Sequence, residues 1–386
     1  MLVQRSARDT TATAAQLTVL AGQPSVSTLQ YGGVARLGRD VPAAVTAWLA
    51  AVGAHMKVAD PECWTRSDQH NEVSSNFVSY FPHLTLPLGT AGSTDRGAWL
   101  DAVVKAQTGV GATVILTPGL WVGPGGRVTE ETALVAPILA RAGDMPVWLN
   151  VALHHSHIIN SGARAQLIAD LLSAGIGQSG QPEAVYMRAQ LPSYSPSYTE
   201  PRRKGFPEGL ADVVRALAEA GVPAILPNSG VTGWVMMGLG ARGLGTGVSW
   251  AQRAWLEPGG GPLGQGRYFE ADMLHTVPAV AHLAIQRSAR TAPCACQWCG
   301  PLWNAGPVTM PTPWDYELAG QHYLPTGQDE LRPVVHSKSA SVGREPGVLH
   351  HEFVFDRGAR RWSYAQSWTS FGGPDLAEVV HLRAEA

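Results

Sequence analysis

A chain of 386 residues with a formal net charge of −2 is long enough for one barrel-sized domain with additions or for two ordinary ones, and it carries no global field that would attract a polyanion. No run approaches the roughly 18 apolar residues a membrane span needs. Residues 1–15 (MLVQRSARDTTATAA) have no apolar core of the signal-peptide kind, and with only four cysteines the expected setting is cytoplasmic and reducing.

Taken in chain order, residues 1–24 read as polar and loosely ordered, and 25–38 (SVSTLQYGGVARLG) as an extended, hairpin-like lead-in. Residues 40–54 read as a helix capped near Asp40. From residue 55 the pattern alternates. Short apolar runs at 55–59, 112–117, 146–153, 184–190, 223–227 and 242–248 predict strands. Between them, 97–109, 131–143, 163–175 and 208–221 predict helices. In the last of these, Leu210, Val213, Val214 and Leu217 recur at the spacing of one buried helix face. Alternation sustained in this way predicts a parallel sheet. No glycine fingerprint opens it, so an α/β fold of the TIM (β/α)8 barrel type is preferred over a doubly wound sheet. "GLGARG" (238–243) matches G-x-G-x-x-G only formally, because it leads from a helix into a strand, the reverse of a dinucleotide-binding turn. Residues 259–266 (GGGPLGQG) read as a flexible break, 272–289 as helical, and 350–368 as a two-stranded hairpin.

Three of the four cysteines crowd into "APCACQWCGPLW": Cys294, Cys296 and Cys299. A C-x-C-x2-C run brings three thiolates around one ion, and zinc takes four ligands in a tetrahedron. His322, in "ELAGQHYLPTG", is the favoured fourth ligand, with His282 and His336 as competitors. Four protein ligands leave no open position, so such a zinc would hold structure. Buried small hydrophobes and redox thiols are the other readings of the cluster.

The order of barrel, C-x-C-x2-C and a later lone histidine, with "HYLPTGQDELRPV" around that histidine, is similar to the tRNA-guanine transglycosylase superfamily, whose paralogues insert 7-deazaguanines into DNA. The likeness is specific over about 290–335 and architectural over 55–290. It implies a barrel at 55–290 after a lead-in strand and helix at 1–54, and a C-terminal zinc-binding subdomain and tail at 291–386. It also implies a structural Zn2+ on Cys294, Cys296, Cys299 and His322, and base exchange through an aspartate nucleophile.

Barrel active sites collect at the C-terminal ends of strands. Reading those ends singles out Asp60 as the carboxylate to carry over for base recognition or catalysis, with an N-cap role as the alternative. Next come Thr117, then Asn150 and the "HHSH" run with His154, of which at most one of the adjacent histidines should face the pocket. Arg188 with Gln190 follows, then Asn228, and then Gly245 and Gly247, whose bare backbone would admit a phosphate or a ring. A buried arginine at such a place pairs with a carboxylate or a phosphate. The late strand that should supply the family's nucleophile, "GLGTGVSW", has no aspartate. Glu257 and Asp272 are the next carboxylates along the chain.

"PSYSPSYTEPRRKGF" (192–206) mixes tyrosines with Arg202, Arg203 and Lys204, and suits nucleic acid through stacking and phosphate contacts. The expected function is therefore transglycosylase-like exchange of guanine in DNA or tRNA for a 7-deazaguanine base, in a cytoplasmic and possible homodimeric protein. Two alternatives stand beside it. One is a zinc-stapled barrel without that activity, acting as a nucleic-acid-binding or interaction protein. The other is a barrel enzyme using the histidines near 154 and Arg188 on a phosphorylated small molecule.

Overall fold

The computed structural model describes residues 1–5, 31–63, 93–190 and 205–247, apart from a few single positions, and the backbone of 267–270 and 275–278. Within them the chain forms β1 (Leu2–Gln4), β2 (Gly32–Arg36), α1 (Pro42–Ala51), β3 (Met56–Asp60) and α2 (Ser93–Gly109). Then come β4 (Ile115–Leu116), β5 (Trp121–Val122), α3 (Thr129–Thr132), α4 (Val135–Ala142) and β6 (Val147–Leu153). After α5 (Ser156–Ile159) and α6 (Ser161–Ser173) follow β7 (Ala184–Ala189), α7 (Phe206–Glu219), β8 (Ala224–Leu226) and β9 (Gly243–Thr246). β10 (Arg267–Glu270) and β11 (His275–Pro278) pair antiparallel as a separate ribbon, so part of the stretch expected to be helical at 272–289 is strand.

The strands pair in the order β3-β2-β1-β9-β8-β7-β6-β4, all parallel, and β5 continues the line of β4 along β6. β1 pairs with both β2 and β9, while a bridge from Val58 to Val114 brings β3 to the approach of β4. The result is a nearly closed, eight-stranded parallel barrel with helices outside. Two expectations change here. Leu2–Gln4 is the first barrel strand, and 32–36 is the second, parallel to it instead of half of a hairpin. Three apolar-to-mixed residues are too short a run to show periodicity; burial between β2 and β9 is what makes them a strand.

The helices form for local reasons that mostly show in the sequence. Pro42 sits in the first turn of α1, where its missing N–H is not needed. Asp40 does not cap α1; Val41 occupies that place, and Asp40 pairs with Arg5 instead. Asn160 caps α6 by accepting the Gly162 and Ala163 N–H groups. The single helix expected over 131–143 is two, α3 and α4, and Pro137 falls in the first turn of the second, where a new start tolerates it. Along α7, Leu210, Val213, Val214 and Leu217 are all buried against the barrel.

The core has two layers. One lies between helices and the outer faces of the strands, and the other fills the lumen with Leu2, Val34, Val58, Leu116, Trp148, Tyr186 and Ile225. Trp148 and Tyr186 stack there with centroids 6.2 Å apart. Side chains alternate along a strand, so the next inward position lies two residues on. At that step the lumen turns polar: Leu2 gives way to Gln4, Val34 to Arg36, Val58 to Asp60, Trp148 to Asn150, and Tyr186 to Arg188. The change happens only toward the C-terminal ends, and it defines the mouth.

Candidate functional site

Asp60 ends β3, Asn150 lies midway along β6 and Arg188 is near the end of β7; all three are buried. Arg188 Nη2 forms a salt bridge with Asp60 Oδ2 across the lumen. The other oxygen, Oδ1, accepts the Glu62 N–H at 3.0 Å and lies 3.4 Å from the Asn150 amide nitrogen. The guanidinium carbon stands 5.2 Å over the Tyr186 ring. Burial works against the charged form of Arg188, yet the attraction of Asp60, Tyr186 and Glu62 outweighs it and raises its pKa above the ordinary value. The same surroundings, burial first and then the charge of Asp60, push the Tyr186 hydroxyl up.

Around this bridge lie further polar contacts. Arg5 pairs with Asp40 beyond β1 and β2, and Arg36 lies 3.6 Å from Glu62. Asn228 Nδ2 donates to Gln4 Oε1 at 2.9 Å, joining the ends of β8 and β1. Asn228 holds a positive φ of 52°, which a non-glycine residue rarely adopts, and Gly230 follows with 48°. The Ser229 N–H donates to the Gly245 carbonyl at 3.0 Å. On β9 the inward positions are Gly243 and Gly245, in register with Ile225 and Leu2, and Gly247 continues the row. A Cβ on Gly245 would lie 2.9 Å from the Pro227 Cα, so β8 and β9 approach closely because that row is bare.

His154 follows β6. Its Nδ1 accepts the Ser156 N–H at 3.2 Å and lies 2.8 Å from the Ser156 hydroxyl, which places the proton of the neutral ring on Nε2. His154 and His155 do not point to opposite sides: their rings lie 3.9 Å apart, because the chain has already turned into α5. His157 instead bonds the Gly123 carbonyl at 2.7 Å. No group of three or more metal-binding side chains occurs among the described residues.

Glu131 was not singled out in the sequence. It is buried in α3, and its two oxygens accept the Gly119 and Leu120 N–H groups at 2.9 and 2.7 Å. The Thr117 hydroxyl also bonds this carboxyl and accepts the Asn150 N–H at 2.9 Å. Gly119, with φ 74°, lies against the Asn150 side chain, which leaves no room for a Cβ. Glu131 therefore holds the 117–120 loop onto Asn150. The readable signal was the Thr-Pro-Gly turn at a strand end, whose exposed N–H groups need an acceptor.

The structure thus brings Asp60, Asn150, Arg188, His154, Asn228, Gly245 and Gly247 to one mouth. The late strand β9 carries no carboxylate over Gly243–Thr246. Glu257, Asp272, Arg202, Arg203, Lys204 and the zinc set Cys294, Cys296, Cys299 and His322 lie outside the described residues. No helix among the described residues is long and apolar enough to cross a membrane.

No protein-family model matches the chain, and no curated protein does. Among solved structures, one that aligns with it is a nitroalkane oxidase from Streptomyces ansochromogenes, at 13% identity over 95% of this chain and 96% of that one, with a TM-score of 0.29. A score that low carries no argument about fold or activity.

Two predictions follow from the buried carboxylates. Asp60→Asn leaves the Arg188 charge without its counterion and should cost about 3–5 kcal/mol in urea unfolding, most of it recovered in the double variant Asp60→Asn/Arg188→Met. Simple addition of the two single losses would show that the pair is not coupled. Burial pushes Glu131 up to about 7, against the hydrogen bonds that favour its charged form. A carboxyl raised in this way contributes fully below its unfolded value and loses that contribution as pH rises through about 7. Between about pH 5 and pH 7.5, wild-type stability should therefore fall relative to Glu131→Gln by on the order of 2 kcal/mol. Parallel stability profiles for the two proteins would refute it.

Proposed function

We propose that the mouth binds and acts on a small phosphorylated molecule, with the phosphate against 228–230 and 245–247 and the reacting end over Asn150 and Arg188. The observation that carries this reading is the bare inner row of β9 beside the tight turn after β8. Loops after the seventh and eighth strands are where parallel barrels commonly seat a phosphate, on backbone N–H groups that side chains would otherwise cover. Arg188 and Asn150 supply preorganised donors for negative charge that develops in a reaction. His154, its neutral tautomer set by Ser156, suits hydrogen-bond donation from Nε2 to negative charge that develops beside it. Asp60 acts in this scheme as the counterion that holds the guanidinium in place.

Base exchange in nucleic acid is the second reading, supported by the position of Asp60 at a strand end inside the mouth. Against Asp60 as the nucleophile, both its oxygens are engaged, one by Arg188 and the other by the Glu62 N–H. That reading also carries the TIM-type assignment with a zinc subdomain on Cys294, Cys296, Cys299 and His322, and a DNA or tRNA partner at Arg202, Arg203 and Lys204.

Calorimetry separates the two. Ribose 5-phosphate should bind the wild type and lose at least about ten-fold in affinity in Gly247→Val, whose side chain would continue the inner row of β9. No binding by the wild type, or equal binding by the variant, would sink the phosphate seat. For base exchange, labelled guanine should enter tRNA or DNA with the wild type and not with Asp60→Ala, and bound zinc should be lost in His322→Ala. Exchange that survives Asp60→Ala, or zinc that survives His322→Ala, removes that assignment.

A further inference from the structure

Glu131 lies behind the mouth, in α3, and two of the residues it binds touch Asn150 by different routes. The Thr117 hydroxyl accepts the Asn150 backbone N–H at 2.9 Å. Gly119, at φ 74°, lies so close to the Asn150 side-chain amide that a Cβ there would overlap it. Polar contacts alone fix that amide poorly. Its nitrogen is 3.4 Å from Asp60 Oδ1 and its oxygen 3.5 Å from Arg188 Nη2, the long end of hydrogen bonding. The 117–120 turn is therefore the wall that sets where the amide points between Asp60 and Arg188.

The turn is held in place by Glu131. The Gly119 and Leu120 N–H groups converge on its carboxyl at 2.9 and 2.7 Å, and the Thr117 hydroxyl bonds it as well. Successive N–H groups around a left-handed glycine make a concave nest of the kind that holds an anion. Here the chain's own side chain fills it. All three groups donate, which suits a carboxylate. Burial acts the other way and favours the neutral acid, raising the pKa to about 7.

A neutral carboxyl adds an O–H of its own among three donors. Among its partners only Thr117 Oγ can accept that proton, and doing so turns the Thr117 hydroxyl proton away. Protonation thus reverses one bond and weakens the grip on an N–H of the turn. No neighbouring charge competes for this control. α3 packs on β6, which has no titratable side chain over Val147–Leu153, and the turn has none. Cys63 meets the turn through its backbone N–H on the Pro118 carbonyl, and His157 bonds the Gly123 carbonyl beyond β5. Arg127 pairs with Asp170, Glu130 is exposed on α3, and Asp60 and Arg188 lie on the other side of Asn150. Burial and the three donors, not these groups, act on the Glu131 carboxyl.

We infer that Glu131 is a positioning residue for the mouth: as a carboxylate it presses the 117–120 turn onto Asn150 and holds that amide between Asp60 and Arg188, and as an acid it slackens the hold. For a bound ligand the effect rests on the phosphate reading, in which the reacting end lies over Asn150. Glutamine at 131 carries one acceptor oxygen and one donor amide, so it copies the acid form and cannot titrate.

The test compares the full wild-type chain with Glu131→Gln between about pH 5.5 and about pH 8.5, a range that brackets the Glu131 transition. In isotope-labelled wild type, the magnetic resonance signals of the Asn150 side-chain amide and the Gly119 and Leu120 N–H groups should move together, with a midpoint at about 7. In Glu131→Gln they should stay where the wild type has them at low pH. Asn150 signals that hold still in the wild type, or that move alike in both proteins, overturn the inference. The wild-type titration decides the matter alone should Glu131→Gln fail to fold. With ribose 5-phosphate as the probe, the ratio of wild-type to variant affinity should rise about fivefold across the range, the worth of one hydrogen bond. Taking the ratio cancels titration of the probe's own phosphate. A probe that binds with a constant ratio overturns the role of Glu131 in the mouth. Absence of binding at every pH sinks the phosphate seat, and the Asn150 signals then decide the inference by themselves.

Discussion

The salt bridge between Asp60 and Arg188 is the contact on which the mouth depends. It joins β3 to β7 through the lumen, at the level where the inner rows change from apolar to polar. Two opposite charges taken out of water cost several kcal/mol each, and only close geometry with added hydrogen bonds offsets that. Here the additions are visible: the Glu62 N–H and the Asn150 amide approach one carboxylate oxygen, and the guanidinium lies over the Tyr186 ring. With one oxygen on Arg188 and the other accepting the Glu62 N–H, Asp60 braces the guanidinium against the wall of the lumen.

Glu131 solves the same problem by other means. It too is a buried carboxylate beside the mouth, but it is stabilised by backbone N–H dipoles and a hydroxyl, with no salt bridge to a cation among the described residues. Dipoles compensate burial less completely than a full charge does, which is why its proton is held until about neutral pH. One carboxylate is thus braced by a cation, while the other, Glu131, sits close to a change of charge state. The second acts on the first only through structure, by way of Thr117 and the Asn150 backbone.

Much of the barrel was legible because it rests on burial patterns. Residues 146–153 and 184–190 read as strands since both faces are covered and the runs are apolar except at Asn150, Arg188 and Gln190, and α7 read as a helix from one repeated face. The misses have physical causes. β1 has three residues and β5 only two, too few for a period to show. The helix expected at 131–143 divides because Pro137 lacks an N–H to continue it. At the site, single residue types at strand ends were enough to name Asp60, Asn150 and Arg188. Their pairing was not, because Asp60 and Arg188 are 128 positions apart in the chain and only the curvature of the sheet makes them neighbours. Glu131 escaped for the opposite reason: an acid in the first turn of a short helix looks like an ordinary favourable charge near a helix start.

The pairing of residue 2 with residue 245 has a consequence for how this protein comes into being. In parallel β1, one edge is occupied by β2 early, but the other has no partner until Gly245 has been synthesised. Contacts of such long range make folding slow, because most of the chain must be ordered before they can form. During that interval the nascent sheet presents an open edge, the feature by which unfinished proteins associate wrongly. β9 is built so that its last neighbour can dock late: with glycine at each inward position, the closing strand has no side chain to thread past those already packed.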